Sequence, residues 1–227
     1  MKVMIFGATG MVGQGVLREC LRDPDVTQVL TVGRSATGQL DPRLHEVVRR
    51  DLTDYAGLDD ELSGYDACFF CLGVSSAGMK EADYARITYD LTLAAATTLA
   101  RLNPAMTFVY VSGSGTDSSE QGRVMWARVK GRTENALRRL PFKAVYLFRP
   151  GVIQPLHGVR SKTRLYDAVY VVLAPLLSTL RRLFPAQIQT TESLGQAMLE
   201  VARHGAPQAV LEPADLNRLK AAPLAAA

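Results

Sequence analysis

The chain is short of the residues that build special-purpose folds. It has three cysteines in 227 residues, Cys20, Cys68 and Cys71. That is too few for a disulfide scaffold and fits small core side chains in a reducing compartment. Cys68 and Cys71 are spaced like a redox or metal pair, but they lie inside the apolar run 67–72. Residues three apart on a strand point to opposite faces, so the two sulfurs should diverge, and no metal site is read. No uninterrupted apolar run reaches the ~18 residues of a membrane-spanning helix. No block of like charge occurs either. The net charge is +4 and the arginines are scattered, which excludes a nucleic-acid footprint. No signal-peptide pattern precedes the first apolar run, so a cytoplasmic protein is expected.

What the chain does have is alternation. Apolar runs predict strands at 2–6, 28–32, 45–49, 67–72, 107–112 and 144–148, and amphipathic stretches predict helices at 11–22, 81–101 and 125–139. Several strands are rich in Val, Ile, Leu and Phe without a polar face, the pattern of strands covered on both sides. After Pro150 the alternation fades. An apolar stretch at 168–180 is broken by Pro175, and Thr190-Thr191-Glu192-Ser193 opens a further helix over 194–203.

The first fifteen residues are the most informative. The apolar run 3–6 meets Gly7, Gly10 and Gly13, and a helix pattern follows at once. Gly7 permits a tight turn, Gly10 lets a phosphate approach the backbone, and Gly13 lets the helix lie close to the strand. Backbone N–H groups at the helix start, around Thr9, Met11 and Val12, with the positive end of the helix dipole, then face an anion. An ordinary turn is the alternative. The strand–turn–helix context favours a dinucleotide site. Repeated βα units on such a start give an α/β fold, a doubly wound parallel (Rossmann) sheet in three layers with a small C-terminal helical elaboration. We read residues 1–227 as one domain, with a cofactor-binding core at 1–153 and lid and C-terminal helices at 154–227.

Ligands of such sheets lie outside the carboxyl ends of the strands. The second strand ends Val32-Gly33-Arg34-Ser35, with no acid of the kind that holds the ribose hydroxyls of NAD. Arg34 can instead grip a 2′-phosphate bidentately, so NADP(H) is expected over NAD(H); a solvated loop arginine is the alternative. After the third strand, Asp51 either accepts from the adenine amino group, with Leu52 packing on the ring, or caps a following helix. After the fourth come Cys71, Leu72 and Gly73, where the glycine lets the backbone pass close to the cofactor ribose.

Gly7-Ala8-Thr9-Gly10-Met11-Val12-Gly13, Val32-Gly33-Arg34, Asp51-Leu52, Cys71-Leu72-Gly73, Val129-Lys130-Gly131 and Arg149-Pro150-Gly151-Val152 occur in that order. Together they resemble the atypical short-chain dehydrogenase/reductase superfamily, and within it the Tat-interacting oxidoreductase-like proteins and the bacterial proteins labelled sugar-nucleotide epimerases. The resemblance covers about residues 1–205, with the glycine loop its most general part. It implies a Tyr and a Lys four residues later that carry out proton chemistry, aided by a Ser one strand earlier. Lys130 matches the Lys, which also holds the cofactor ribose. Ser112 matches the Ser, with Ser114 nearby. The Tyr position holds Trp126, whose indole N–H donates but does not titrate. Trp126 can shape the pocket, stack near the nicotinamide or donate to a carbonyl. Thr88 stands where extended members often carry Asn. The resemblance also places Pro150, Gly151, Val152 and Ile153 against the nicotinamide.

Residues 154–185, including Tyr166 and Tyr170, are too short for an epimerase substrate domain. They remain open between an apolar substrate pocket, an interfacial anchor, a self-association patch that would make a homodimer, and plain packing on the sheet edge. The implied function is an NADP(H)-binding oxidoreductase, weak or specialised, acting on a small carbonyl or quinone-like molecule. The alternative is a catalytically degenerate NADP(H)-binding sensor or partner-binding protein.

Overall fold

The computed structural model describes residues 1–159 and 187–219. Seven parallel strands form one sheet: β1 (Lys2–Phe6), β2 (Gln28–Gly33), β3 (Leu44–Val48), β4 (Ala67–Phe70), β5 (Thr107–Val111), β6 (Ala144–Phe148) and, named by its place in the chain, β9 (Val210–Leu211). Their order is β3-β2-β1-β4-β5-β6-β9. The chain runs outward from β1 to β3, then crosses back to β4, so the carboxyl ends of β1 and β4 flank the switch point where this architecture binds ligands. A separate parallel pair, β7 (Val152–Gln154) with β8 (Ile188–Thr190), follows β6.

Each strand feeds two cores. In β1, Val3 and Ile5 join Val29, Phe69 and Phe148 on the face covered by α1 (Met11–Arg22) and α5 (Thr191–His204). Met4 and Phe6 join Leu30, Phe70 and Phe108 on the other face, beneath α3 (Leu91–Leu102) and α4 (Met125–Leu137). This explains the unalternating apolar strands: both parities are buried. The same parity rule separates the cysteines. Cys68 lies in one core and Cys71 packs against the other, and all three thiols are free.

The expected helix at 81–101 is interrupted. It consists of α2 (Glu81–Ala85), a π-helical turn at Arg86–Asp90, and α3. From the first turn of α3, Thr92 Oγ1 donates back to the Thr88 carbonyl at 2.6 Å. The helix expected at 194–203 begins three residues earlier. The Thr190 side chain accepts from the Ser193 N–H at 2.9 Å while Ser193 Oγ accepts from the Thr190 N–H, a reciprocal cap. The last described helix, α6 (Pro213–Arg218), closes against β9. Tyr166, Tyr170 and the apolar stretch 168–180 lie outside the described residues.

Candidate functional site

The glycine turn after β1 is as tight as its composition predicts. Gly7 has φ +78°, and a Cβ there would meet the Leu72 backbone at 2.7 Å. A Cβ on Gly13 would stand 2.1 Å from the Gly7 carbonyl oxygen, so only glycine lets α1 start this close to β1. Gly10 is the N-cap of α1, without a capping side chain, and its first turn carries no acid. The orphan N–H groups of Met11, Val12 and Gly13 therefore lack the usual side-chain partner, and no carboxylate repels an incoming anion. These residues fit a dinucleotide pyrophosphate.

At the end of β2, Arg34 and Ser35 are exposed. The loop that carries them is tied down where the Thr37 N–H donates to both Glu46 carboxylate oxygens at 3.1 Å. Beside it opens a cavity of about 720 Å³ along the outer face of α1, lined among others by Thr9, Arg18, Arg22, Ser35, Thr37 and His157. After β3, Asp51 is exposed and accepts from the Thr53 N–H at 2.8 Å and from Thr53 Oγ1 at 2.6 Å, bonds that hold its carboxyl below the usual range. Only turns follow, so Asp51 has no helix to cap. Leu52 is buried in the core that holds Phe6 and Tyr55, and its carbonyl accepts from the Tyr55 hydroxyl at 2.7 Å.

After β4 the backbone passes over Gly7. The Cys71 N–H donates to the Phe6 carbonyl at 2.9 Å, and burial pushes the Cys71 thiol up to about 12, which leaves it inert. Strand β4 ends at Phe70 rather than at 72, because Cys71 and Leu72 serve this turn. Gly73 faces open space: no atom lies within 4 Å of a Cβ added there. Gly73→Ala is expected to melt within about 2 °C of the parent, as surface changes do. If a ribose fills that space, the variant loses at least about tenfold in NADPH affinity, roughly 1.4 kcal/mol. Calorimetric melting and fluorescence titration check the two halves separately.

The ends of β5 and β6 hold the densest polar network. Lys130, half-buried on α4, donates from Nζ to the Ser112 carbonyl at 2.9 Å and to that of Val111 at 3.3 Å. Ser112 and Lys130, matched separately in the sequence, are thus in contact. The Ser112 hydroxyl, however, turns inward and donates to Glu134 Oε1 at 2.6 Å, with Phe148 O a second acceptor at 3.2 Å. Ser114, by contrast, is exposed, and its N–H donates to the Pro150 carbonyl at 2.9 Å. Trp126 lies one turn before Lys130, and its ring sits against the turn at 113–115. Glu134 also accepts from Arg149 at Nε (3.0 Å) and Nη2, and Arg149 reaches Glu212 at 3.1 Å and Ser118 Oγ at 2.6 Å. The guanidinium pKa is raised first by its bond to Glu134.

Glu134 and Glu212 were not anticipated from the sequence. Lys130 and Glu134 are four apart on a helix, which puts them on one face, and that was the available signal.

The turn expected against the nicotinamide has a structural occupant at one point. The Gly151 N–H donates to Gln189 Oε1 at 2.8 Å, and a Cβ there would lie 2.6 Å from the Gln187 carbonyl oxygen. The glycine is therefore required by the approach of β8. Val152 remains half-exposed, while Ile153 packs against the core. Among the described residues no cluster of His, Cys, Asp and Glu fits a metal ion, and no helix is long and apolar enough to cross a membrane.

A family model described as NAD(P)H-binding matches residues 7–146. The fungal protein fmp52-2, mitochondrial, of Aspergillus oryzae is 29% identical over 223 residues, 95% of each chain. Protein HTATIP2 of Rattus norvegicus is 29% identical over 154 residues, 66% of this chain and 62% of its own. The fungal relatives are named mitochondrial, so they lend no support to the cytoplasmic expectation. Among solved structures, the Bordetella bronchiseptica enzyme WbmF in complex with NAD+ superposes with a TM-score of 0.68 at 17% identity, covering 96% of this chain and 76% of that one. A short-chain dehydrogenase/reductase of Saccharomyces cerevisiae gives 0.61 at 17% identity, covering 96% and 99%. The matched family model and the glycine cradle place this chain in the NAD(P)H-binding family, and its parallel sheet shares the fold of the short-chain dehydrogenases/reductases.

Proposed function

We propose that this chain is an NADP(H)-dependent oxidoreductase, weak or specialised, acting on a small carbonyl or quinone-like substrate. One observation carries the reading: the glycine cradle after β1 and Lys130 at the end of β5 belong to the same carboxyl-end face of one parallel sheet. The N–H groups at 11–13 would hold the pyrophosphate, Arg34 and Ser35 the 2′-phosphate, and Lys130 the ribose. A reduced nicotinamide bound there supplies hydride. Lys130 and Ser114 are the groups left to meet a substrate oxygen, since Ser112 is engaged with Glu134.

The cofactor preference rests on Arg34, which makes no ion pair among the described residues. Arg34→Ala is expected to weaken NADPH by about 10- to 100-fold, the worth of a charge-assisted hydrogen bond, and to leave NADH unchanged. Tighter binding of NADH than of NADPH by the parent protein overturns the preference. The oxidoreductase reading itself is tested by NADPH oxidation across a panel of small aldehydes, ketones and quinones.

A second reading, a binding protein that has lost chemistry, is favoured by Trp126 at the tyrosine position and by the inward Ser112 hydroxyl. It predicts tight cofactor binding, no turnover on the panel, and a partner captured only with NADPH present.

A further inference from the structure

We propose that Lys130 Nζ itself delivers the proton to the substrate oxygen, in place of the phenol that position 126 lacks. This rests on the oxidoreductase reading above.

The argument begins with which groups at this end of the sheet can release a proton. Trp126 cannot. The Ser112 hydroxyl is held by Glu134, and Glu134 is closed off by Arg149. Tyr84 and Tyr110 are buried, and burial raises the pKa of both hydroxyls, that of Tyr110 strongly. The Cys71 thiol is pushed up in the same way. His157 stands in the turn after β7, bound to Glu192.

Lys130 is different. Its ammonium has three N–H bonds, and the carbonyls of Val111 and Ser112 take two. It forms no ion pair among the described residues, and the residue is only half-buried, so one N–H is left, which a ribose hydroxyl and the substrate oxygen would share.

The groups around it are few. On its own helix Glu134 lies one turn on, favouring the charged form. From β5 the Tyr110 ring lies 5.6 Å from Nζ. The helix packed across α4 spends its charges elsewhere: Glu81 on Arg128, Asp83 on Arg86, and Asp90 in solvent. Arg132 lies over the Tyr89 ring. Desolvation outweighs Glu134 and brings the Lys130 amine down to about 8. An acid in that range is charged at neutral pH and releases its proton readily.

During reduction of a carbonyl, hydride reaches the carbon from the bound reduced nicotinamide. At the oxygen, the Nζ–H bond breaks and an O–H bond forms. The electron pair stays on the amine, which regains its proton from water.

The experiment compares the parent with Lys130→Arg, which keeps charge and donors for the ribose but holds its proton too firmly to give it up. NADPH affinity is read by fluorescence titration, turnover by NADPH oxidation with the aldehyde panel from pH 6 to 10, and the amine by NMR of ¹³C-methylated lysines. The chain has six lysines, so the resonance missing in Lys130→Arg identifies the one that matters. We expect that resonance to titrate near 8 and parent kcat/KM to fall above the same pH. We expect Lys130→Arg to bind NADPH within about threefold of the parent, yet to lose about 10²-fold or more in turnover together with the alkaline fall. Turnover in Lys130→Arg with an unchanged pH profile, or a Lys130 resonance titrating above 10, overturns the proposal and leaves the oxidoreductase reading standing. A parent that binds NADPH but turns over nothing overturns both.

Discussion

Glu134→Ala is expected to cost about 3–5 kcal/mol of stability and to lower the melting temperature by roughly 6–20 °C. Glu134 is 1% exposed and carries most of the charge compensation for Arg149, itself 8% exposed. Removing the carboxylate leaves a guanidinium in a site that water barely reaches. Glu212 still reaches it at 3.1 Å, but that side chain is half-exposed and screened, so it restores only part of the loss. Ser112 Oγ also loses its shorter acceptor and falls back on the Phe148 carbonyl.

The sign can be checked by compensation. Glu134→Leu with Arg149→Met removes both charges, and buried pairs replaced by apolar residues of similar volume are often neutral or better. The double variant should therefore recover most of what Glu134→Ala loses. A Glu134→Ala protein that melts within 2 °C of the parent would falsify the idea that this pair fastens β6 and the C-terminal segment to α4.

The sheet was legible because both of its faces are covered. Unalternating apolar runs at β1, β2, β4, β5 and β6 leave little room for another assignment, and the bounds of β1, β6 and α1 match the expectation residue for residue. What the pattern missed is short or three-dimensional. Strands β7, β8 and β9 have two or three residues each, too few for any period. They exist because neighbours supply their hydrogen bonds. The π-helical turn is a widening of one turn inside a longer helix, which leaves the apolar period on either side of it unchanged.

The site divides in the same way. The glycine cradle is a local pattern and could be read from seven residues. The network around Arg149 joins positions 15 and 63 residues away, and only closure of the sheet shows it. The orientation of Ser112 was open to inference. Tyr110 faces the core beneath α4, and strand parity carries residue 112 to the same face, where Glu134 waits. Reading position 112 by motif alone leaves that direction out. Ser114, exposed in the turn beyond β5, and Lys130, on α4, are the polar groups still open to a substrate.

Trp126→Tyr is expected to raise aldehyde turnover by about 10²-fold, the lower end of what general acid–base catalysis contributes. The lower end applies because Lys130 already supplies a proton in the parent. The substituted position is the first turn of α4, and the indole it replaces rests on the turn at 113–115, beside Ser114. A phenol is smaller than the indole and fits where the indole lay. Four residues on, the Lys130 ammonium would favour the phenolate and draw the phenol pKa down from its ordinary value near 10, so that the hydroxyl becomes a usable acid near neutrality.

Two further readouts separate this from a packing effect. NADPH affinity should stay within about threefold, because the cradle at 7–13 and Arg34 are untouched. The alkaline limb of kcat/KM should also follow the new phenol rather than Lys130. Trp126→Phe is the control, since it makes the same reduction in size without the hydroxyl and should gain nothing. Equal gains in Tyr and Phe variants would mean that the indole merely blocks the cleft. No gain in either, with cofactor binding intact, would mean that position 126 does not reach a reacting oxygen.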